Sequence, residues 1–243
     1  MADIPAGHEY YSGDFADGEA DYVYIPTSNG HVLDGNFKYK RRQEAVVSQA
    51  EGIFGRGFKI GDWMFYSKSA EFSRKLNTYF VDGFIYGDFD LIINNIAEGY
   101  TEDLSMTIIN GEISGRVTGH FDKGYFTGSC DDYGFPDGTW TMAIKEGRKT
   151  ILTKKEIWVH GRFKDAYEVG ADKQRLPMEP YLRDRINLIL MNEVSQLLNI
   201  VTQGTKDDIL HIHSKWYLVM KTVWQCHISH KKQKNTKCLE FSD

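Results

Sequence analysis

The residues best suited to metal chemistry gather near the C-terminus: His211, His213, Cys226, His227, His230 and Cys238. Thiolates and imidazoles together are what Zn²⁺ takes. Yet Cys226-His227-x2-His230-x7-Cys238 follows no structural-zinc spacing, so no metal is expected. Carboxylates pair at Glu102-Asp103 and Asp131-Asp132. Glycosidase chemistry needs two such groups facing each other across a sugar cleft, an arrangement that adjacency in sequence does not establish. With Asp137 the second pair could also hold Ca²⁺, but the spacing lacks a loop consensus and a solvated turn is favoured. There is no Gly-x-Ser-x-Gly elbow, Walker sequence or Rossmann fingerprint. Gly52-x2-Gly55-x-Gly57 has the glycines of a phosphate loop, but a strand-like Asp62–Tyr66 stands where the helix should be. No catalytic residue and no cofactor are therefore expected, and Cys130 reads as a structural thiol. Recognition chemistry is better supplied. Planar rings on a sheet can stack on sugars or grip peptides. Trp63, Phe89 and Trp140 read as core, whereas Tyr66, Tyr79 and Tyr133 are the binding candidates.

These residues sit in a chain of 243 residues with a formal net charge of -5, 14% aromatics, 23 Gly and 3 Cys. That composition excludes a disordered chain and a disulfide scaffold. No apolar run is long enough for a spanning helix, and Met1-Ala2-Asp3-Ile4-Pro5 lacks the features of a secretory signal. The expectation is a cytoplasmic protein, with trimming from a longer precursor left open. Mild acidity argues against nucleic acid as a partner.

Glycine placement carries the architecture. Eighteen of the 23 glycines fall between Gly35 and Gly170, and one element recurs there: Gly-x3-Gly-x-apolar. It reads Gly57…Gly61-Asp62-Trp63, Gly83…Gly87-Asp88-Phe89, Gly111…Gly115-Arg116-Val117 and Gly134…Gly138-Thr139-Trp140. The first glycines are 26, 28 and 23 residues apart. Alternation after the second glycine predicts strands with one buried face. Asp82-Gly83 and Asn110-Gly111 suit tight hairpins, because both residues accept positive φ. The second glycine of each copy is expected to make room for a neighbour's aromatic ring. Each copy is thus a β-hairpin that must stack on others to bury its apolar face. An ordinary antiparallel sandwich or meander is the alternative.

The run Gly57-x3-Gly61-x-Trp63-x-Phe65-Tyr66, followed by Tyr79-Phe80-Val81-Asp82-Gly83-x3-Gly87-x-Phe89, resembles the MORN-repeat superfamily. In particular it resembles its bacterial YwqK-type antitoxin repeats. The resemblance covers about residues 30–165, departing at Val117 and at apparent inserts 40–50 and 92–109. It implies an elongated, single-layer antiparallel sheet of stacked hairpins without a catalytic motif.

The expected organisation is an acidic segment 1–34 forming a partial first repeat, repeats over 35–170, a helical cap over 171–228 and a basic tail over 229–243. In the cap, Pro180 opens a helix whose Leu182, Ile186, Leu190, Val194, Leu197 and Val201 form one stripe, with Gly204 as its stop. A second helix is expected over 207–228. The first helix is expected to close the sheet, with homodimerisation through it as the alternative. The function this supports is a non-enzymatic repeat module that binds another protein, antitoxin-like by resemblance. A carbohydrate-binding module is the alternative, as is a scaffold on anionic lipid recruited through Lys231, Lys232, Lys234 and Lys237.

Overall fold

The computed structural model describes residues 4–180, 186 and 189–201. Among them the chain is mainly β, with strands β1 (Glu9–Phe15), β2 (Gly18–Thr27), β3 (Gly30–Gln43), β4 (Val46–Gly55), β5 (Phe58–Lys68), β6 (Phe72–Val81) and β7 (Phe84–Asn95). The sheet continues with β8 (Tyr100–Ile109), β9 (Glu112–Phe121), β10 (Gly124–Cys130), β11 (Pro136–Glu146), β12 (Lys149–Val159), β13 (Arg162–Gly170) and β14 (Arg175–Pro177). Each strand pairs antiparallel with the next, so hairpin follows hairpin in one open sheet. A single short C-terminal helix follows, a π turn Leu190–Val194 running into an α turn Ser195–Leu198. The expected helix over 207–228 and the basic tail lie outside the described residues.

The hairpins close as the dipeptides require. Arg56-Gly57, Asp82-Gly83, Asn110-Gly111 and His160-Gly161 all place both residues at positive φ, the geometry of the two-residue turn that matches strand twist. Tyr133-Gly134 differs, because only its glycine has positive φ. There Asp131 shapes a longer loop, its Oδ1 accepting from the Tyr133 and Phe135 N–H groups at 3.0 and 2.9 Å. Successive turns are also tied together. The N–H groups of Gly57, Gly83 and Gly161 donate to the carbonyls of Leu33, Lys59 and Pro136, one hairpin upstream, at 2.7, 2.8 and 2.9 Å.

The second glycine of each copy has a different task from the expected one. Gly61 and Gly115 have nothing within 4 Å of where a Cβ would stand, and Gly87 and Gly138 meet only Tyr79 Cβ and Ser129 Oγ at ordinary contact distance. Their φ values are 66°, 67°, 85° and 75°. These glycines make a bulge rather than a ring seat. At each one the register slips, so that Gly52 faces Gly61-Asp62-Trp63, Tyr79 faces Tyr86-Gly87-Asp88 and Gly128 faces Gly138-Thr139-Trp140. The ring seats are on the opposite strand. A Cβ on Gly52 would lie 2.2 Å from the Trp63 ring, one on Gly128 2.0 Å from Trp140, and one on Gly119 2.4 Å from Phe126. Gly52, in the phosphate-loop-like run, is thus a seat for tryptophan.

Residues 40–50 and 92–109 are not inserts. Residues 40–50 are the facing ends of β3 and β4, paired through Gln43↔Val46, and 92–109 run from the end of β7, paired through Asn95↔Tyr100, along the whole of β8. Their charged and amide residues reach solvent at long strand ends, which blurs the period-two pattern. From Glu9 onward the acidic segment is likewise sheet: β1 and β2 form a hairpin, and Tyr22 and Tyr24 are buried.

Candidate functional site

The sheet has two chemically different faces. The inner face carries the core, including Phe37, Phe54, Trp63, Phe80, Phe89, Trp140 and Trp158, and buries Cys130. Trp63 and Trp140 are fixed by more than packing: Trp63 Nε1 donates to the Ile53 carbonyl at 3.1 Å and Trp140 Nε1 to the Ser129 carbonyl at 2.9 Å. Ile186, Leu190, Val194, Leu197, Leu198 and Val201 from the C-terminal helical segment join the same core. They extend the apolar stripe read in the sequence onto β5 and β6.

Lys59 is the departure from the repeat on this face. The matching position in other copies holds Leu33, Ile85, Ile113 and Pro136, all buried. Lys59 is buried too, and its Nζ donates to the Val201 carbonyl at 3.0 Å. Around the amine lie the rings of Trp63, Phe80 and Phe54, 5.5, 5.9 and 6.0 Å from it. The cation thus meets a carbonyl at the helical segment's end, where cations are favoured. Burial depresses its pKa to about 8. Further along, Arg74 of β6 pairs with Glu193 of the helix. Helix docking is therefore specified by two cations on neighbouring strands.

The outer face is different. A ridge of apolar and aromatic side chains runs along the turn edge from β4 to β8. Ile53 pairs across to Ile60, and Val81 to Phe84. The Phe58 ring reaches the β6–β7 turn, 3.3 Å from the Cβ position of Gly83. Tyr79 stands across the bulge from Tyr86-Gly87-Asp88, and Ile109 follows one place beyond the Gly87–Ile108 pair. Phe58 and Phe84 are 54% and 55% exposed, and Ile53, Tyr79, Val81, Tyr86 and Ile109 are exposed as well. Next to this ridge stand the carboxylates Asp62, Asp88 and Asp90, all exposed.

Of the three binding candidates, Tyr79 belongs to this ridge. Tyr66 lies on the same face but in a row paired with Gln49 and Lys75, away from the turns. Tyr133, 72% exposed, sits alone in the β10–β11 loop. Phe58 and Phe84 were missed although the signal was present. Each directly follows the first glycine of its copy, as Phe135 does, where the chain leaves a turn with its side chain outward.

Of the carboxylates considered for catalysis or calcium, Asp103, Asp131 and Asp137 accept hydrogen bonds that shape turns and strand ends. Asp131 shapes its loop and has its other oxygen 3.1 Å from His160 Nδ1, and Asp137 accepts from the His160 N–H at 2.9 Å. Asp103 accepts from the His120 N–H at 3.0 Å. Among the described residues no group of three or more His, Cys, Asp or Glu could hold a metal ion. The Cys/His cluster near the C-terminus lies outside them. An open groove over β1–β5 is lined by Asp21, Lys38 and Glu51. Lys38 and Glu51 pair with each other at 2.8 Å, and Tyr10 OH donates to Asp21 at 3.0 Å.

The acidic head is held within the sheet rather than left free. Asp17 accepts from Tyr39 and Arg41, and the Tyr39 hydrogen bond, ahead of Arg41, lowers its pKa. Glu9 accepts from Tyr24. Asp34 accepts from the Arg56 N–H, the main cause of its lowered pKa, and lies 2.8 Å from His8 Nε2. The Asp34 hydrogen bond raises the His8 pKa above 6.5. The His8 contribution is full below pH 6.5 and lost as pH rises through the raised value. The Asp34 contribution is present above 3.8 and lost as pH falls through its lowered value. An NMR titration is expected to find His8 titrating above 6.5 and returning toward it in Asp34→Asn; an unmoved midpoint would remove the clamp.

The fold and site together define a β-hairpin repeat protein with a short helix packed on the inner face at β5 and β6 and an exposed outer ridge. The chain matches no protein-family model and no curated protein. No described helix is long and apolar enough to cross a membrane.

Proposed function

We propose that the protein is a non-enzymatic binding module of MORN-like hairpin repeats, which presents its outer sheet face to another protein in the cytoplasm. The observation that carries this reading is the ridge around Phe58 and Phe84, left more than half exposed while the inner face is filled by core and helix. Clustered exposed aromatics on a rigid sheet are what protein recognition uses. An antitoxin-like role, with a toxin as the bound protein, is one case of this reading. Replacing Phe84 with a photo-reactive phenylalanine analogue in native-host lysate is expected to give a discrete protein adduct. The same analogue at Ile151, exposed on β12, is expected to give none. A blank at both positions, with glycan-array binding that needs Tyr79, would replace this reading with a carbohydrate binder.

A further inference from the structure

The ridge also constrains what lies on it. Phe58 and Phe84 project from β5 and β7, two strands apart, which is about 9.6 Å at ordinary strand spacing. An α-helix lying across the strands repeats its apolar face every seven residues, a rise of about 10.5 Å. Positions i, i+3 or i+4, and i+7 of one helix therefore match Phe58, Val81 and Phe84, with Ile53 and Ile109 at the two ends.

Charge fixes the second feature. Asp62, Asp88 and Asp90 share the outer face, immediately inside the ridge: Asp62 is paired in register with Tyr79, Asp88 with Thr107, and Asp90 with Asn77 and Ser105. None of the three has a cation partner among the described residues. Lys75, the nearest outer-face lysine in register, stands opposite Tyr66 and Ile92 rather than against an aspartate. The inner face, by contrast, receives its own helix with the cations Lys59 and Arg74. The two faces thus ask for helices of opposite character.

Resting on the binding-module reading, we propose that the outer ridge with Asp62, Asp88 and Asp90 docks a basic amphipathic helix of another protein. Its apolar stripe lies on Phe58, Val81 and Phe84, and Lys or Arg residues along one flank meet the three aspartates. The same carboxylates repel an anionic bilayer, which sets the protein partner apart from a lipid surface.

The probe is a labelled leucine/lysine peptide with leucines at i, i+4 and i+7, read by fluorescence anisotropy on the full chain. Controls are a scrambled peptide of the same composition and a leucine/glutamate version. Binding is expected for the ordered basic peptide alone, weakening as salt rises. It is expected to fall about tenfold in Asp62→Asn/Asp88→Asn/Asp90→Asn and again about tenfold in Phe58→Ser/Phe84→Ser. Because Phe58 also packs against Gly83, the charge variant, which alters no packing, keeps the test valid if the aromatic variant is destabilised. Equal binding of the scrambled peptide, or no loss in the charge variant, would overturn the proposal. Ridge-dependent binding to phosphatidylserine vesicles would overturn it in favour of a membrane. No peptide binding beside a protein adduct at position 84 would overturn the partner chemistry while the module reading stands. Blanks in both would remove both.

Discussion

Gly128→Ala is expected to destabilise the fold by about 3 kcal/mol or more, the upper range for overpacking a core. The added Cβ would lie 2.0 Å from Trp140 Cδ2. The indole cannot move aside freely, since its Nε1 is held 2.9 Å from the Ser129 carbonyl on the strand that bears the glycine. Gly52→Ala should behave alike. Its Cβ would stand 2.2 Å from Trp63, whose Nε1 donates to the carbonyls of Ile53 and Ile60 at 3.1 and 3.2 Å. Gly61→Ala is the control. Nothing lies within 4 Å of its Cβ position, so only the φ of 66° resists, at about 1–2 kcal/mol. Urea unfolding of the three variants separates the two roles. A Gly61→Ala loss as large as that of Gly128→Ala would return the ring seat to the second glycine of the repeat.

The second large effect concerns Lys59 and pH. Its pKa is depressed from 10.5 to about 8 by burial. Below pH 8 both the folded and unfolded states carry the proton, and the folded state bears the whole cost of the buried charge. Between 8 and 10.5 the unfolded chain binds the extra proton, so stability rises with pH. From pH 8 to 10 the gain is about 2 kcal/mol. The window closes above about pH 10, where Tyr22, Tyr24 and Tyr39 oppose it. All three have raised pKa values, that of Tyr39 about 12, and their folded-state protons are then the ones retained. Lys59→Met, similar in length and without the amine, should flatten the rise between pH 8 and 10. Parallel melts of both proteins check this, and a rise of equal size in Lys59→Met would place its origin elsewhere.

Much of the sheet was legible because its determinants are local. Asp82-Gly83 and Asn110-Gly111 accept positive φ whatever surrounds them, and Trp63/Phe65 and Phe89/Leu91 alternate on a two-residue period. Hairpin turns and the buried face follow from those two facts. Which outward-facing tyrosine stands on the ridge was not legible. Exposure separates Tyr79 from Tyr66, yet both are tyrosines on outward-facing strand positions.

By itself, then, the sequence determined that this chain folds as successive antiparallel hairpins with Trp63, Phe89 and Trp140 inside, since turn dihedrals and strand alternation are properties of short segments. Which glycine seats which ring was decided by tertiary structure: Gly52 meets Trp63, and Gly128 meets Trp140, only through the bulged register between paired strands. The burial of Lys59 was decided in the same way. Its Nζ donates to a carbonyl 142 residues downstream, so a lysine that reads as surface in its own segment becomes core through a contact that segment does not contain.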